Sequence, residues 1–270
     1  MKKIDFFENT KIMGILNVTP DSFSDGGKYN NIDKALIRVE EMIKEGADII
    51  DVGAESSRPG AKVVPLQEEL DRVIPIVSRI KKEFDVILSI DTYKSEVAKE
   101  CLKYNVDIIN DITGFRDEKM LEVVKEYECY LIAMHMQGTP QTMQNNPTYN
   151  NIINDIKDEF KTLLLKLDKY SIEKNRLILD PGIGFGKTIE HNLEILKYLN
   201  KFKEFELPIL IGASRKSFIG KILDVETDDR LEGSLAVAAL SVQNGANILR
   251  VHDVKETKRV AKMIDAIMKV

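Results

Sequence analysis

Eight short apolar runs recur from one end of the chain to the other, and they limit its possible folds more than any other feature. They are IMGILNV (12–18), DIIDVGA (48–54), VILSIDT (86–92), DIINDI (107–112), YLIAMH (130–135), LILDPG (177–182), PILIGAS (208–214) and ILRVHD (248–253). Each is rich in Ile, Val and Leu, as expected of strands covered on both faces. Helical patterns lie between them. Ile32, Ala35, Leu36, Val39, Met42 and Ile43 fall on one helix face, as do Val260, Ala261, Ile264 and Ile267 near the C-terminus. Gly46 and Gly245 each follow a helical stretch and precede a strand, where glycine suits a helix C-cap. Eight strands alternating with helices, without a linker or a shift in composition, predict one α/β domain over residues 1–270, a single (β/α)8 TIM barrel. A doubly wound open sheet is the alternative. It usually has fewer strands and a dinucleotide-type glycine loop near its start, and the sequence has neither.

In such a barrel the C-terminal ends of the strands build the active face. Those ends carry Asn17, the segment Glu55-Ser56-Ser57-Arg58-Pro59-Gly60, Asp91, Asn110-Asp111, His135, Asp180, Ser214-Arg215-Lys216-Ser217, and Arg250 with His252 and Asp253. The opposite ends carry ordinary helix-to-strand turns. Chance would scatter polar residues over both ends, so the asymmetry points to an enzyme.

Composition narrows the substrate class. With 39 basic and 44 acidic residues the net charge is −5, which gives no bulk attraction for nucleic acid, so any anion site rests on a few local cations. The chain is 43% hydrophobic over 270 residues, enough for a large core. Cys101 and Cys129 show no metal spacing and read as buried thiols in a reducing compartment. MKKIDFFENTKIMG has no continuous apolar stretch of the kind a signal peptide needs, and no window reaches membrane-spanning length. A soluble, cytoplasmic protein is expected.

Asp91, Asn110 and Asp180 each sit where a strand turns toward a helix, so each alone reads equally as a helix N-cap. Together they set two carboxylates and an amide around one mouth. That suits a ligand rich in N–H donors, such as an aminopyrimidinone edge. Lys216, Arg250 and His252 follow strands seven and eight, where barrels commonly hold phosphate. A lone Lys or Arg is ordinarily a solvated surface charge. Arg250 is different, because a charge inside the run ILRVH requires an anion partner. Lys216 stands at a helix start, SRKSFIGKIL, whose backbone N–H groups favour anions. His135 and His252 lack the compact spacing of metal ligands, and His191 lies in a helix. PGIGFGKT (181–188) fails the phosphate-loop pattern, because Pro181 stands where its first glycine is required. It reads as a glycine-rich loop over the barrel, with Phe185 as a wall or as part of a plain turn.

ILNVTPDSFSDGG, DVGAESSRPGA, SIDTYK, IINDITG, AMHMQGTP, LDPGIGFGKT, IGASRKSFIG and ILRVHDV resemble, in order, the motif set of the dihydropteroate synthase family. The resemblance runs from about Met13 to Val254. It implies a (β/α)8 barrel and the condensation of 6-hydroxymethyl-7,8-dihydropterin pyrophosphate with 4-aminobenzoate, giving 7,8-dihydropteroate and pyrophosphate. It implies that Asp91, Asn110, Asp180 and Lys216 hold the pterin, and that Asn17, Arg250 and His252 serve the pyrophosphate and its Mg2+. It places the aminobenzoate carboxylate at Ser217 and makes lids of residues 18–28 and 55–62. It also implies a homodimer and a pocket that sulfonamides occupy. The chemistry suits these residue types. Cations and Mg2+ stabilise the charge gathered by departing pyrophosphate. A neutral arylamine needs no strong general base, and the cation-like methylene must be kept from water.

Phe23 then lines the inner side of a lid, walling the aminobenzoate ring with Pro59, while Asp25 stabilises the methylene cation or orients the amine. The plainer alternative is a hydrophobic anchor for a static loop. Arg58 serves either to order the anion site or to close the lid with a salt bridge. Ser57 departs from the Thr of many family members, keeping the hydroxyl but losing a methyl against that ring. Three rivals stay open: a corrinoid-type pterin methyltransferase, a non-catalytic pterin-binding barrel, and a Schiff-base aldolase using Lys216.

Overall fold

Each of the eight apolar runs contains a strand. The computed structural model describes residues 2–18, 28–56, 58 and 60–270. The strands are β1 (Lys11–Asn17), β2 (Ile49–Gly53), β3 (Ile87–Asp91), β4 (Ile108–Asp111), β5 (Tyr130–Met134), β6 (Leu177–Asp180), β7 (Leu210–Ile211) and β8 (Ile248–Val251). All pair in parallel, in the order β6-β5-β4-β3-β2-β1-β8-β7. A parallel bridge between Leu179 and Ile209 brings β6 to β7, with the Leu179 N–H donating to Pro208 O at 2.9 Å. The sheet thereby rolls up into the expected barrel. The seventh run yields only a two-residue strand, because Pro208 has no N–H for the ladder and the chain leaves the sheet at Gly212.

The connections hold α1 (Lys28–Glu45), α2 (Leu66–Glu83), α3 (Ser95–Leu102), α4 (Glu118–Glu126), α5 (Ile152–Lys169), α6 (Ile189–Lys197), α7 (Ser217–Leu223), α8 (Leu231–Gln243) and α9 (Val254–Met268). Gly46 and Gly245 follow α1 and α8 with φ of +102° and +105°, a conformation that other residues rarely adopt. Cys101 and Cys129 are free and buried.

Side chains alternate across each strand, so the runs serve two cores at once. Ile50, Val52, Leu88, Ile90, Ile109 and Leu131 face outward into a core shared with the helices. Met13, Ile49, Ile108, Tyr130, Ile178, Leu210 and Ile248 face inward and form an apolar floor, which Phe6 joins from the N-terminal segment. The Phe6 ring meets Tyr130 edge-on at 5.2 Å, and the Tyr130 hydroxyl oxygen accepts from the Ile4 N–H at 3.2 Å. Ligands therefore have the other end of the barrel, where the strands terminate. No described helix is long and apolar enough to cross a membrane.

Candidate active site

One step above the apolar floor the barrel interior turns polar. The residues following the floor by two positions on β2, β3, β4 and β8 are Asp51, Ser89, Asn110 and Arg250. Arg250 Nε donates to Asp51 Oδ2 at 2.6 Å, and Arg250 Nη2 donates to Asp91 Oδ2 at 2.6 Å. Asn110 Nδ2 also donates to Asp51 Oδ2, at 3.2 Å. The anion partners required by a charge in strand eight are thus two carboxylates of the chain itself. Burial raises the Asp91 pKa to about 7 against the lowering pull of Arg250, and nearby Asp51 adds to the rise. Burial works against the Arg250 charge, but Asp51 and Asp91 outweigh it and its pKa is raised. Asp51 Oδ1 and Ser89 Oγ, register partners on β2 and β3, are buried and have no hydrogen-bond partner among the described residues. An unsatisfied buried polar atom costs about 1–3 kcal/mol. The place is therefore suited to a polar ligand or to water.

Asp180 ends β6 on the same interior face. Its Oδ1 accepts from the Gly182 N–H at 2.7 Å, and burial raises its pKa to about 6 against that bond and the charges of Lys187 and Lys216. Lys216 reaches across from the loop after β7, with Nζ 4.0 Å from the Phe185 ring centroid. Burial, with help from Arg250, lowers the Lys216 pKa to about 8. Phe185 belongs to an apolar patch with Ile112, Met134, Met136 and Met143, with Tyr93 packed against it. The loop PGIGFGKT is a turn that sets Phe185 in this apolar patch beneath Lys216. None of the three candidate caps is a cap: the N-caps of α3, α4 and α6 are Lys94, Asp117 and Thr188. Asp91 is instead paired with Arg250, Asn110 with Asp51 and Asp180 with the Gly182 N–H, each through one atom, which leaves a second polar atom on each side chain for a ligand. Two carboxyls and an amide beside an apolar wall can take a flat heterocycle by its N–H edge.

At the β7–β8 side, Ser214 Oγ lies 3.2 Å from His252 Nδ1. Burial and then Arg250 push the His252 pKa down to about 4, so the ring is neutral at pH 7 and offers hydrogen bonds rather than charge. Arg215 binds Asp253 through both Nε (2.9 Å) and Nη2 (2.6 Å), clamping the loop after β7 to the loop after β8. Lys216 is the N-cap residue of α7, and Ser217, its first residue, is exposed. Asn17 ends β1 with its side chain exposed.

Arg58 is exposed in the loop after β2. That loop touches the one after β5, with the Gly60 N–H donating to Pro140 O at 3.1 Å and Gln141 Nε2 to Ala61 O at 3.2 Å. Its base is held by Glu55, which accepts from the Tyr93 hydroxyl at 2.7 Å and from Lys94; Lys94 also donates to buried Glu69. Phe23, Asp25, Ser57 and Pro59 lie outside the described residues. His135 turns away from the mouth toward Glu159, and His191 forms a capping box with Thr188. Sequence reasoning missed Asp51 as a site residue. The available signal was its position two residues beyond inward-facing Ile49 on a strand otherwise apolar.

Residues 13–252 match the model of a family described as pterin binding enzyme. The dihydropteroate synthase of Escherichia coli K12 is 47% identical over 257 residues, which are 95% of this chain and 91% of that protein. The structure of the dihydropteroate synthase of Clostridium difficile in the presence of pteroic acid superposes with a TM-score of 0.94 at 46% identity, covering 99% of this chain and 100% of the other. That of the Yersinia pestis enzyme with a sulfonamide drug complex gives 0.94 at 44% identity, covering 99% and 97%.

Proposed function

Since the chain belongs to the pterin binding enzyme family, as a dihydropteroate synthase of folate synthesis, we propose that it joins 6-hydroxymethyl-7,8-dihydropterin pyrophosphate to 4-aminobenzoate at the mouth described above. The observation that carries this reading is the set Asp91, Asn110 and Asp180 beside the Phe185–Lys216 wall. Asp180 accepts the paired N–H groups of the aminopyrimidinone edge, Asn110 and Asp91 complete its outline, and Phe185 covers its face.

The bond that breaks joins the pterin methylene carbon to a pyrophosphate oxygen, which leaves with the electron pair. The methylene becomes cation-like, stabilised by the pterin ring. The aminobenzoate nitrogen then gives its lone pair to that carbon and loses a proton to the released pyrophosphate. Lys216 meets the departing anion with positive charge, Arg250 offers it the N–H donors that Asp51 and Asp91 do not take, and His252 donates a hydrogen bond to it. By resemblance, Asp25 is assigned to stabilising the methylene cation or orienting the amine, Phe23, Ser57, Arg58 and Pro59 to the aminobenzoate, and Ser217 to its carboxylate.

Among the described residues no group of three His, Cys, Asp or Glu side chains forms a resident metal site. Asn17 offers a single neutral oxygen at the mouth, which fits an Mg2+ that keeps its other positions for water and phosphate. When bound, Mg2+ neutralises charge on the pyrophosphate oxygens. A homodimer is favoured by the apolar side chains that α7, α8 and α9 leave exposed, namely Ile222, Leu223, Leu240, Met263 and Ile267. Sedimentation at a monomeric mass would remove it. The cytoplasm suits two free, buried thiols.

Mixing the protein with dihydropterin pyrophosphate and Mg2+, with and without 4-aminobenzoate, tests the reaction. Pyrophosphate release with dihydropteroate formation is expected. Pterin binding with no release under either condition would overturn the reading in favour of a binding protein or a methyltransferase.

A further inference from the structure

Lys187 is buried, with 3% of its surface exposed, and the reaction above does not use it. Its Nζ donates to Phe185 O at 2.9 Å and to His135 O at 3.3 Å, and lies 3.0 Å from His135 Nδ1. All three hydrogens of the ammonium thus have acceptors. An ammonium at this distance requires Nδ1 to be the unprotonated ring nitrogen, which puts the histidine proton on Nε2. Nε2 faces Glu159 Oε1 at 3.3 Å, and Glu159 is half-exposed on α5, in a surface cavity shared with Arg116 and Lys166. A continuous path Lys187–His135–Glu159 therefore runs from the loop after β6, across the end of β5, to solvent.

The loop that Lys187 pins is the roof of the mouth. Gly182, Gly184 and Gly186 have φ of +72°, +82° and +60°, and the loop lies so close to the one after β5 that a Cβ on Gly182 would stand 1.9 Å from His135 O. The same loop sets the Gly182 N–H on Asp180 and holds Phe185 under Lys216. We propose that Lys187 is a positioning residue of the pterin site. Its ammonium ties the roof loop to the end of β5 and adds positive charge that favours ionised Asp180, while Glu159, reached through neutral His135, carries the balancing negative charge. The inference rests on the assignment of the mouth to the pterin.

His135 at the end of β5 touches Lys187, and the charges acting on it are those of Asp180 on β6, Glu159 on α5 and Lys216 before α7. Arg116 and Tyr149 face the His135–Glu159 pair, and His191 on α6 packs on Tyr149. Burial lowers the Lys187 pKa to about 7, while Asp180 and Glu159 oppose the fall and Lys216 adds to it. Lys187 in turn helps keep Asp180 ionised.

The test is titration of the full-length protein with a pterin from pH 5 to 9, on wild type, Lys187→Met and Glu159→Gln, with steady-state kinetics alongside. For Lys187→Met the pterin Kd and the KM for the pterin substrate are expected to rise about tenfold, as for loss of a charge-assisted contact, with the KM for 4-aminobenzoate unchanged. The acid limb of binding should move to higher pH, because Asp180 loses a stabilising charge. Glu159→Gln alters only the solvent end of the path. It should move the alkaline limb to lower pH, because Lys187 loses a charge that keeps it protonated. A merely structural Lys187 would lower the melting temperature and leave both limbs in place, and that result would overturn the inference. Should Lys187→Met fail to fold, an unmoved alkaline limb in Glu159→Gln overturns it instead. A wild-type protein that bound no pterin would overturn the site assignment and this inference with it.

Discussion

Arg250 Nη2 and Asp91 Oδ2 stand 2.6 Å apart inside the barrel, while Nε of the same guanidinium donates to fully buried Asp51. One cation thus bridges two carboxylates, and its single charge is shared between them. Arg250→Met leaves both carboxylates without their counter-charge. Removing one member of a buried pair costs about 3–5 kcal/mol, and proton uptake by Asp91 returns part of it. A loss of about 3 kcal/mol in urea denaturation, with weakened pterin binding, is expected; a change under about 1 kcal/mol would mean that the network contributes little.

Stability and pterin binding should depend on pH in opposite directions between pH 4 and 7. Asp91 and Asp180, at about 7 and about 6, hold their protons more firmly in the folded chain than in the unfolded one, where a carboxyl titrates near 4. Their contribution to stability is complete below that unfolded value and is lost as the pH rises through 6 and 7. The pterin N–H edge, by contrast, needs Asp180 ionised, so affinity should rise as the pH climbs through 6. Calorimetry across that range checks both slopes. An Asp180→Asn variant that kept the rise in affinity would remove Asp180 from this role.

Gly182→Ala tests the contact between the loops after β6 and β5. The residue has φ of +72°, and a Cβ there would meet His135 O at 1.9 Å, a backbone atom that cannot step aside. Strain and displacement together should cost at least about 2 kcal/mol and weaken the pterin, because the Gly182 N–H also holds Asp180. A melting temperature and pterin Kd equal to those of wild type would show that the loop yields freely.

Chelation of Mg2+ should stop turnover while leaving the binding of a pterin without pyrophosphate almost intact, because the proposed pterin contacts are protein side chains while the metal serves the pyrophosphate. Isothermal titration in EDTA, paired with a pyrophosphate-release assay, separates the two. Full turnover in the chelator would remove the metal from the mechanism.

Much of this molecule was legible without coordinates because its signals are local. The eight strands follow from runs of Ile, Val and Leu, and the helices between them from faces such as Ala35, Leu36, Val39 and Met42, all buried. Asp91, Asn110 and Asp180 were placed at one mouth by a rule about where barrel strands end. The tertiary structure settled what local pattern leaves open. It showed that the helix caps are Lys94, Asp117 and Thr188, and that the partners of Arg250 are Asp51 and Asp91, 199 and 159 residues away. It also buried Lys187 against His135, where its place in a glycine-rich turn suggested nothing of the kind. Periodicity in a sequence reports which side of a strand or helix avoids water, since that depends on near neighbours. Which charge meets which depends on how the barrel closes, and closure joins residues whose separation along the chain carries no such pattern.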